Sequence, residues 1–120
     1  MSRLFVYGSL KRGEQNHRHL APARFVGEAR TTPSFELLDL GEYPAMKLGG
    51  RTTIVGEVYE LDEALLAALD RFEGHPDLYR RTTIALDDGA QVDAYLVVRP
   101  PRDAPRIASG AWSGATSRRR

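Results

Sequence analysis

Apolar and polar positions along the chain fall into short runs with two different periods. Leu4-Phe5-Val6-Tyr7 is a continuous apolar run of β-forming residues close to the N-terminus. It is too short for a helix and too apolar for an exposed tail, so it predicts a buried strand. From Arg24 to Leu61 the runs are β-like and separated by turn residues: Phe25–Ala29, Phe35–Leu38 and Ala45–Leu48, with a turn over Gly41–Pro44 and a hairpin at Gly49-Gly50. Ile54–Leu61 alternates, which puts Val58 on the face opposite Glu57 and Tyr59. Tyr79–Leu86 and Gln91–Val98 complete the strand set around a turn at Asp87-Asp88-Gly89.

Only one stretch has a strong helical period. Leu61, Leu65, Leu69 and Phe72 recur at i, i+4, i+8 and i+11, with Leu66 beside them, a stripe suited to packing on a sheet. Asp62 is a good N-cap, and Glu63 sits where the helix dipole favours an anion. Gly74 suits the position just past the C-terminus, and Pro76 prevents continuation. The main helix is therefore expected at about residues 63–73. The polar stretch Glu14–Leu20 reads as a loop or short helical turn anchored by Leu20. Closely spaced strands with glycine-rich turns predict an α+β fold, a small, mostly antiparallel β-barrel with one main helix and short flanking helical turns. Residues 1–101 are expected to form the domain. Residues 102–120, rich in Pro, Gly, Ser and Arg, are expected to form a partly ordered tail that only Ile107 and Trp112 can dock.

Composition narrows the function. A chain of 120 residues holds one core. Its 17 basic and 16 acidic residues leave a net charge of +1, so no overall field draws it to nucleic acid or an anionic membrane. The closing Arg118-Arg119-Arg120 reads as a solvated, frayed end. With no cysteine, disulfides, thiolate metal sites and a Cys nucleophile are excluded. His17 and His19 lack the further ligands a metal site needs, so no metal and no cofactor are expected. No run approaches the roughly 20 apolar residues of a spanning helix, and no export signal is visible; a cytoplasmic location is expected.

Two places suggest chemistry. The run Leu4–Tyr7 ends in Gly8-Ser9, a turn whose backbone N–H groups lose their ladder partners and are able to gather around an anion. Gly8 has access to positive φ and lacks a Cβ, so a ligand can lie against the backbone there; the same residues also fit an ordinary strand exit. The second place is Glu73, on the last helical turn. The helix C-terminus, the like charge of Asp70 three residues earlier, and any burial all push its pKa upward, toward the range of a general acid/base. A solvated surface glutamate would have the same sequence signature.

The run Val6-Tyr7-Gly8-Ser9-Leu10-Lys11-Arg12-Gly13, followed by Asn16-His17, resembles the opening signature of the γ-glutamylcyclotransferase-like family, most closely its γ-glutamylamine cyclotransferase branch. A second signature follows in order: Gly56-Glu57-Val58-Tyr59, then Leu69-Asp70-Arg71-Phe72-Glu73-Gly74, then Pro76 and Leu78-Tyr79-Arg80-Arg81. The resemblance spans roughly residues 3 to 98, and more loosely Gly110-Ala111-Trp112. It implies a small barrel with a cavity at one end and a small-molecule γ-glutamyl substrate. The loop Tyr7-Gly8-Ser9-Leu10 would supply backbone donors, Glu73 would be the catalytic acid/base, and Tyr79 and Tyr95 would line the cavity, with Tyr43-Pro44 at its rim.

The reaction so implied is intramolecular aminolysis. The substrate's own α-amine attacks its γ-carbonyl and releases 5-oxoproline and a free amine, so no enzyme nucleophile is needed. Lys11 and Arg12 are possible partners for a substrate carboxylate, while His75 reads as a bystander. The identity of the leaving amine and the oligomeric state stay open. A non-catalytic small-molecule binding or regulatory protein using the same cavity is the alternative.

Overall fold

The computed structural model describes residues 1–113; the basic end at 118–120 lies outside them. In chain order the elements are β1 (Ser2–Val6), a 3-10 turn (His17–Leu20), β2 (Arg24–Arg30), β3 (Phe35–Asp39), β4 (Pro44–Leu48), β5 (Val55–Leu61), α1 (Glu63–Phe72), β6 (Tyr79–Ala85) and β7 (Gln91–Val97). Five strands form one sheet in the order β2-β5-β1-β7-β6, with β1 at its centre. Every neighbouring pair is antiparallel except β1 and β7, which run parallel.

Both faces of this sheet are covered, which is why β1 reads as unbroken apolar sequence. Leu4 and Val6 pack on one side with Tyr59, Leu61, Tyr95 and the α1 residues Leu66 and Leu69. Phe5 and Tyr7 pack on the other with Val58, Ala94, residues of β3 and β4, and Trp112. The alternation expected around Val58 and Tyr59 is thus the division between two cores. The helix forms as its caps dictate: the Asp62 side chain accepts from Leu65 N at 2.9 Å, and Gly74 beyond its end has φ of 68°.

The expected barrel is not confirmed. β2 and β6 are open edges that meet only near one end, through the bridge Thr31–Leu86 and the bonds Thr32 N to Ala85 O and Asp87 N to Arg30 O. Closure would need a continuous ladder, but β3 and β4 pair with each other as a separate two-stranded sheet. Gly49-Gly50 is accordingly not a hairpin between paired strands. Both N–H groups bond to Ser34 O, and the chain crosses there from the small sheet to the large one.

Beyond Pro101 the chain crosses back over the hairpin of β3 and β4. Asp39 N donates to Pro105 O, Ile107 N to Leu37 O and Val55 N to Gly110 O. Trp112 ends in the core at 2% exposure. Among the described residues no helix is long and apolar enough to cross a membrane, and no group of three His, Asp or Glu side chains is placed to hold a metal ion.

Candidate active site

A cavity of about 410 Å³ opens at the end of the sheet where β1 runs out, and Tyr7, Gly8, Ser9, Leu10, Glu73, Tyr79 and Tyr95 all line it. The fold therefore brings these seven residues around one space.

The loop after β1 is held from several sides. Lys11 N donates to Gly8 O, Asn16 N to Ser9 O and Arg12 N to Glu57 Oε1. The Asn16 amide donates to Ser9 Oγ at 3.0 Å, and His17 Nδ1 lies 2.9 Å from Leu10 O. In contrast, among the described residues nothing accepts from the N–H groups of Gly8, Ser9 or Leu10. Three consecutive donors without partners on a cavity wall suit an anion or a developing oxyanion. Gly8 plays its part differently from the sequence expectation. Its φ is not positive; its missing Cβ leaves room for the Pro44 ring.

Glu73 caps α1, its N–H donating to Leu69 O at 2.8 Å. No described residue hydrogen-bonds its carboxyl group, and burial raises its pKa to about 7. Repulsion from Asp70, expected from the sequence, is not among the causes. Asp70 turns away to accept from Arg81 Nε and Nη2 at 2.9 and 3.1 Å and from the Tyr95 hydroxyl at 2.7 Å. Desolvation of the Asp70 carboxylate is outweighed by these donors, which hold its pKa below the ordinary value.

Three tyrosines surround Glu73 closely enough that its charge adds to the burial that raises their pKa values. Tyr7 donates to Tyr95 O at 2.6 Å and accepts from Met46 N at 3.2 Å. Tyr79 donates to Pro44 O at 3.2 Å.

Lys11 and Arg12 are not in the cavity wall. The Lys11 ammonium donates to Trp112 O at 2.7 Å, and the Arg12 guanidinium lies 3.9 Å over the Phe25 ring and 3.6 Å from Glu57. His75 accepts from Arg81 N, a structural role. Tyr43 and Pro44 do line the cavity, joined by Phe72, expected in the helix stripe, and by Leu78, for which the sequence suggested no role of its own. Both are exposed, Phe72 at 43% and Leu78 at 67%, and that outward placement has no sequence signal.

An isolated, desolvated glutamate, a wall of tyrosines and a row of unused backbone donors share one small cavity, the layout of a small-molecule site on an α+β scaffold. The family model for gamma-glutamyl cyclotransferase, AIG2-like proteins matches residues 4–114, and the chain belongs to that family. A Vibrio cholerae protein provisionally named gamma-glutamylcyclotransferase is 40% identical over 91% of this chain and 93% of its own length. The rat gamma-glutamylaminecyclotransferase is 41% identical over 70% of this chain, a match spanning 62% of the rat protein. The crystal structure of a mouse AIG2-like protein superimposes with a TM-score of 0.83 at 31% identity, covering 94% of this chain and 88% of the mouse chain.

Proposed function

We propose that this protein is a γ-glutamyl cyclotransferase that converts a γ-glutamyl amide to 5-oxoproline and a free amine, with Glu73 as the proton carrier. The observation that carries the reading is the carboxyl group of Glu73, desolvated in the cavity, without a hydrogen-bond partner among the described residues and poised at a pKa of about 7. A group at that value is able both to take a proton and to return it at neutral pH.

The α-nitrogen of the substrate forms a bond to the carbonyl carbon of its own γ-amide as the bond from that carbon to the leaving nitrogen breaks. The attacking ammonium sheds two protons as it becomes a lactam nitrogen, and the departing nitrogen gains two as it leaves as an alkylammonium. Glu73 relays them one at a time, taking each from the attacking nitrogen and giving it to the departing one, and ends as the carboxylate it began as. Ring closure within one molecule supplies much of the acceleration once the substrate is folded against itself. The N–H groups of Gly8, Ser9 and Leu10 serve the remaining need, holding the α-carboxylate or polarising the γ-carbonyl oxygen.

The leaving side favours an amine over an amino acid. Among the described residues no Lys, Arg or His lines the cavity, so a second carboxylate meets no cation, while Tyr43, Phe72 and Leu78 offer apolar surface. The test is 5-oxoproline release from a panel of γ-glutamyl amines and γ-glutamyl dipeptides, with Glu73→Gln alongside. Release by the wild type, lost by a factor of roughly 100 to 10,000 in the variant, supports the assignment. Equal rates in the two proteins refute the role of Glu73. A wild type that cyclises nothing but still binds panel members is a binding protein.

A further inference from the structure

The hydroxyl protons of the three tyrosines around Glu73 are all committed to the protein. Tyr7 donates to Tyr95 O, Tyr79 to Pro44 O and Tyr95 to Asp70 Oδ1. A phenol has one proton and otherwise only lone pairs, so a committed tyrosine meets a ligand as an acceptor. Of these three, Tyr7 also accepts from Met46 N, whereas Tyr79 and Tyr95 accept from no described residue. Both lie within the field of the Glu73 carboxylate. The cavity is thus divided. Its tyrosine and glutamate wall accepts hydrogen bonds, and its Gly8-Ser9-Leu10 wall donates them.

We propose that Tyr79 and Tyr95 accept hydrogen bonds from the α-ammonium of the substrate, and that Asp70 is the positioning residue that makes Tyr95 an acceptor. The inference rests on the cyclotransferase reading, which supplies a substrate with a carboxylate and an ammonium on one carbon. Those two groups match the divided cavity in one orientation only. The same contacts serve the reaction. As the ammonium loses a proton to Glu73, its remaining N–H bonds stay directed at the two phenol oxygens, and the freed lone pair is left to meet the carbonyl carbon of the γ-amide.

Asp70 does this without touching the cavity. Arg81 grips it through two nitrogens and reaches Asp93 Oδ2 at 3.3 Å, so the carboxylate stays charged and fixed between α1 and the strands β6 and β7. Without that acceptor the Tyr95 proton is free to rotate into the cavity, where it opposes a cation.

The experiment compares γ-glutamyl butylamide with glutaryl butylamide, the same molecule lacking the α-amine and unable to cyclise. For Tyr95→Phe, kcat/KM on γ-glutamyl butylamide is expected to fall roughly 10- to 100-fold, the worth of a hydrogen bond to a charged group. The inhibition constant of glutaryl butylamide should stay within about twofold, because that ligand has no ammonium to lose contact with. Asp70→Ala, which removes the acceptor, should shift the two ligands in the same unequal way, while a general loosening of the cavity weakens both alike. Parallel losses for the two ligands, or no loss in Tyr95→Phe, overturn the proposal. If the wild type forms 5-oxoproline and only the ligand discrimination fails, this inference alone is wrong. If the wild type forms none from any γ-glutamyl amide, the cyclotransferase reading falls and takes this one with it.

Discussion

Gly8 and Pro44 are packed so closely that a Cβ on Gly8 would stand 2.7 Å from both Cδ and Cγ of the proline ring. The loop after β1 therefore rests directly on the first residue of β4, and Pro44 O in turn accepts from Tyr79. Gly8→Ala should push the ring aside at a cost of about 1–3 kcal/mol, as overpacking does, and displace Tyr79 with it. Gly27→Ala is the control, since open space surrounds that position and its φ is not positive. Thermal denaturation should separate the two variants, with 5-oxoproline formation lost in Gly8→Ala by more than the change in stability accounts for.

Glu57 fastens the same loop from the other side. Its Oε1 accepts from Arg12 N and from the Tyr59 hydroxyl, both at 3.0 Å, and the residue is 9% exposed. Glu57→Ala strands a buried phenol and a backbone donor, so a loss of about 2–3 kcal/mol is expected, together with a raised KM from the loosened donor wall. Glu57→Gln keeps an oxygen for both donors and should lose clearly less. Urea denaturation of the two variants checks the order; equal losses would mean that charge on Glu57, not its accepting oxygen, holds the loop.

These two contacts mark the limit of what the sequence discloses. The apolar run of β1, the capped stripe of α1 and the alternation through Val58 and Tyr59 are local patterns, and each appears in the structure where the pattern puts it. Glu73 and the Gly8 turn could be singled out from their positions in an element, but position alone fitted a solvated glutamate and an ordinary strand exit as well, and the resemblance to a family is what pointed to chemistry there. What was not legible depends on who pairs with whom across the chain. Asp70 was expected to repel Glu73, but Arg81, eleven residues on, claims it. Barrel closure failed for a similar reason, since β3 and β4 satisfy each other and leave the edges of β2 and β6 apart. Lys11 illustrates the same point: its partner is a carbonyl 101 residues away.

Trp112 extends the core beyond the last strand. Its ring is packed with residues of β1, β3, β5 and β7, and its carbonyl takes the Lys11 ammonium. Trp112→Ala is expected to cost about 3–5 kcal/mol, the range for emptying a large aromatic site. Because Lys11 uses the backbone carbonyl, it loses its acceptor only if the segment leaves the core. A fall in thermal midpoint accompanied by a rise in KM would indicate that the segment has detached; a fall in midpoint alone would indicate a cavity under an intact latch.

The raised pKa of Glu73 makes opposite demands on stability and on activity, and the two can be read in one protein. Its ordinary value of 4.5 moves to about 7 in the folded chain because burial disfavours the carboxylate. The folded state therefore holds the proton more tightly than the unfolded chain. Below the unfolded value both states are protonated and there is no penalty. As pH rises from about 4.5 the unfolded chain releases its proton first, stability falls through the window up to about 7, and the penalty is constant above it. By the linkage relation the shift is worth about 3 kcal/mol at pH 8. Glu73→Gln removes the ionisation, so it should be more stable than the wild type at pH 8 and lose that advantage as pH is lowered to 4.5. Activity runs the other way. Cyclisation needs the carboxylate, so kcat/KM of the wild type should rise with pH through a midpoint near 7 with a slope of one proton. Urea titrations of both proteins from pH 4.5 to 8, set beside the pH profile of 5-oxoproline release, test the assignment. If the stability gain of Glu73→Gln does not change with pH, or the acid limb of the activity lies near 4.5, Glu73 titrates as an ordinary solvated glutamate and the proton carrier must be sought elsewhere in the cavity.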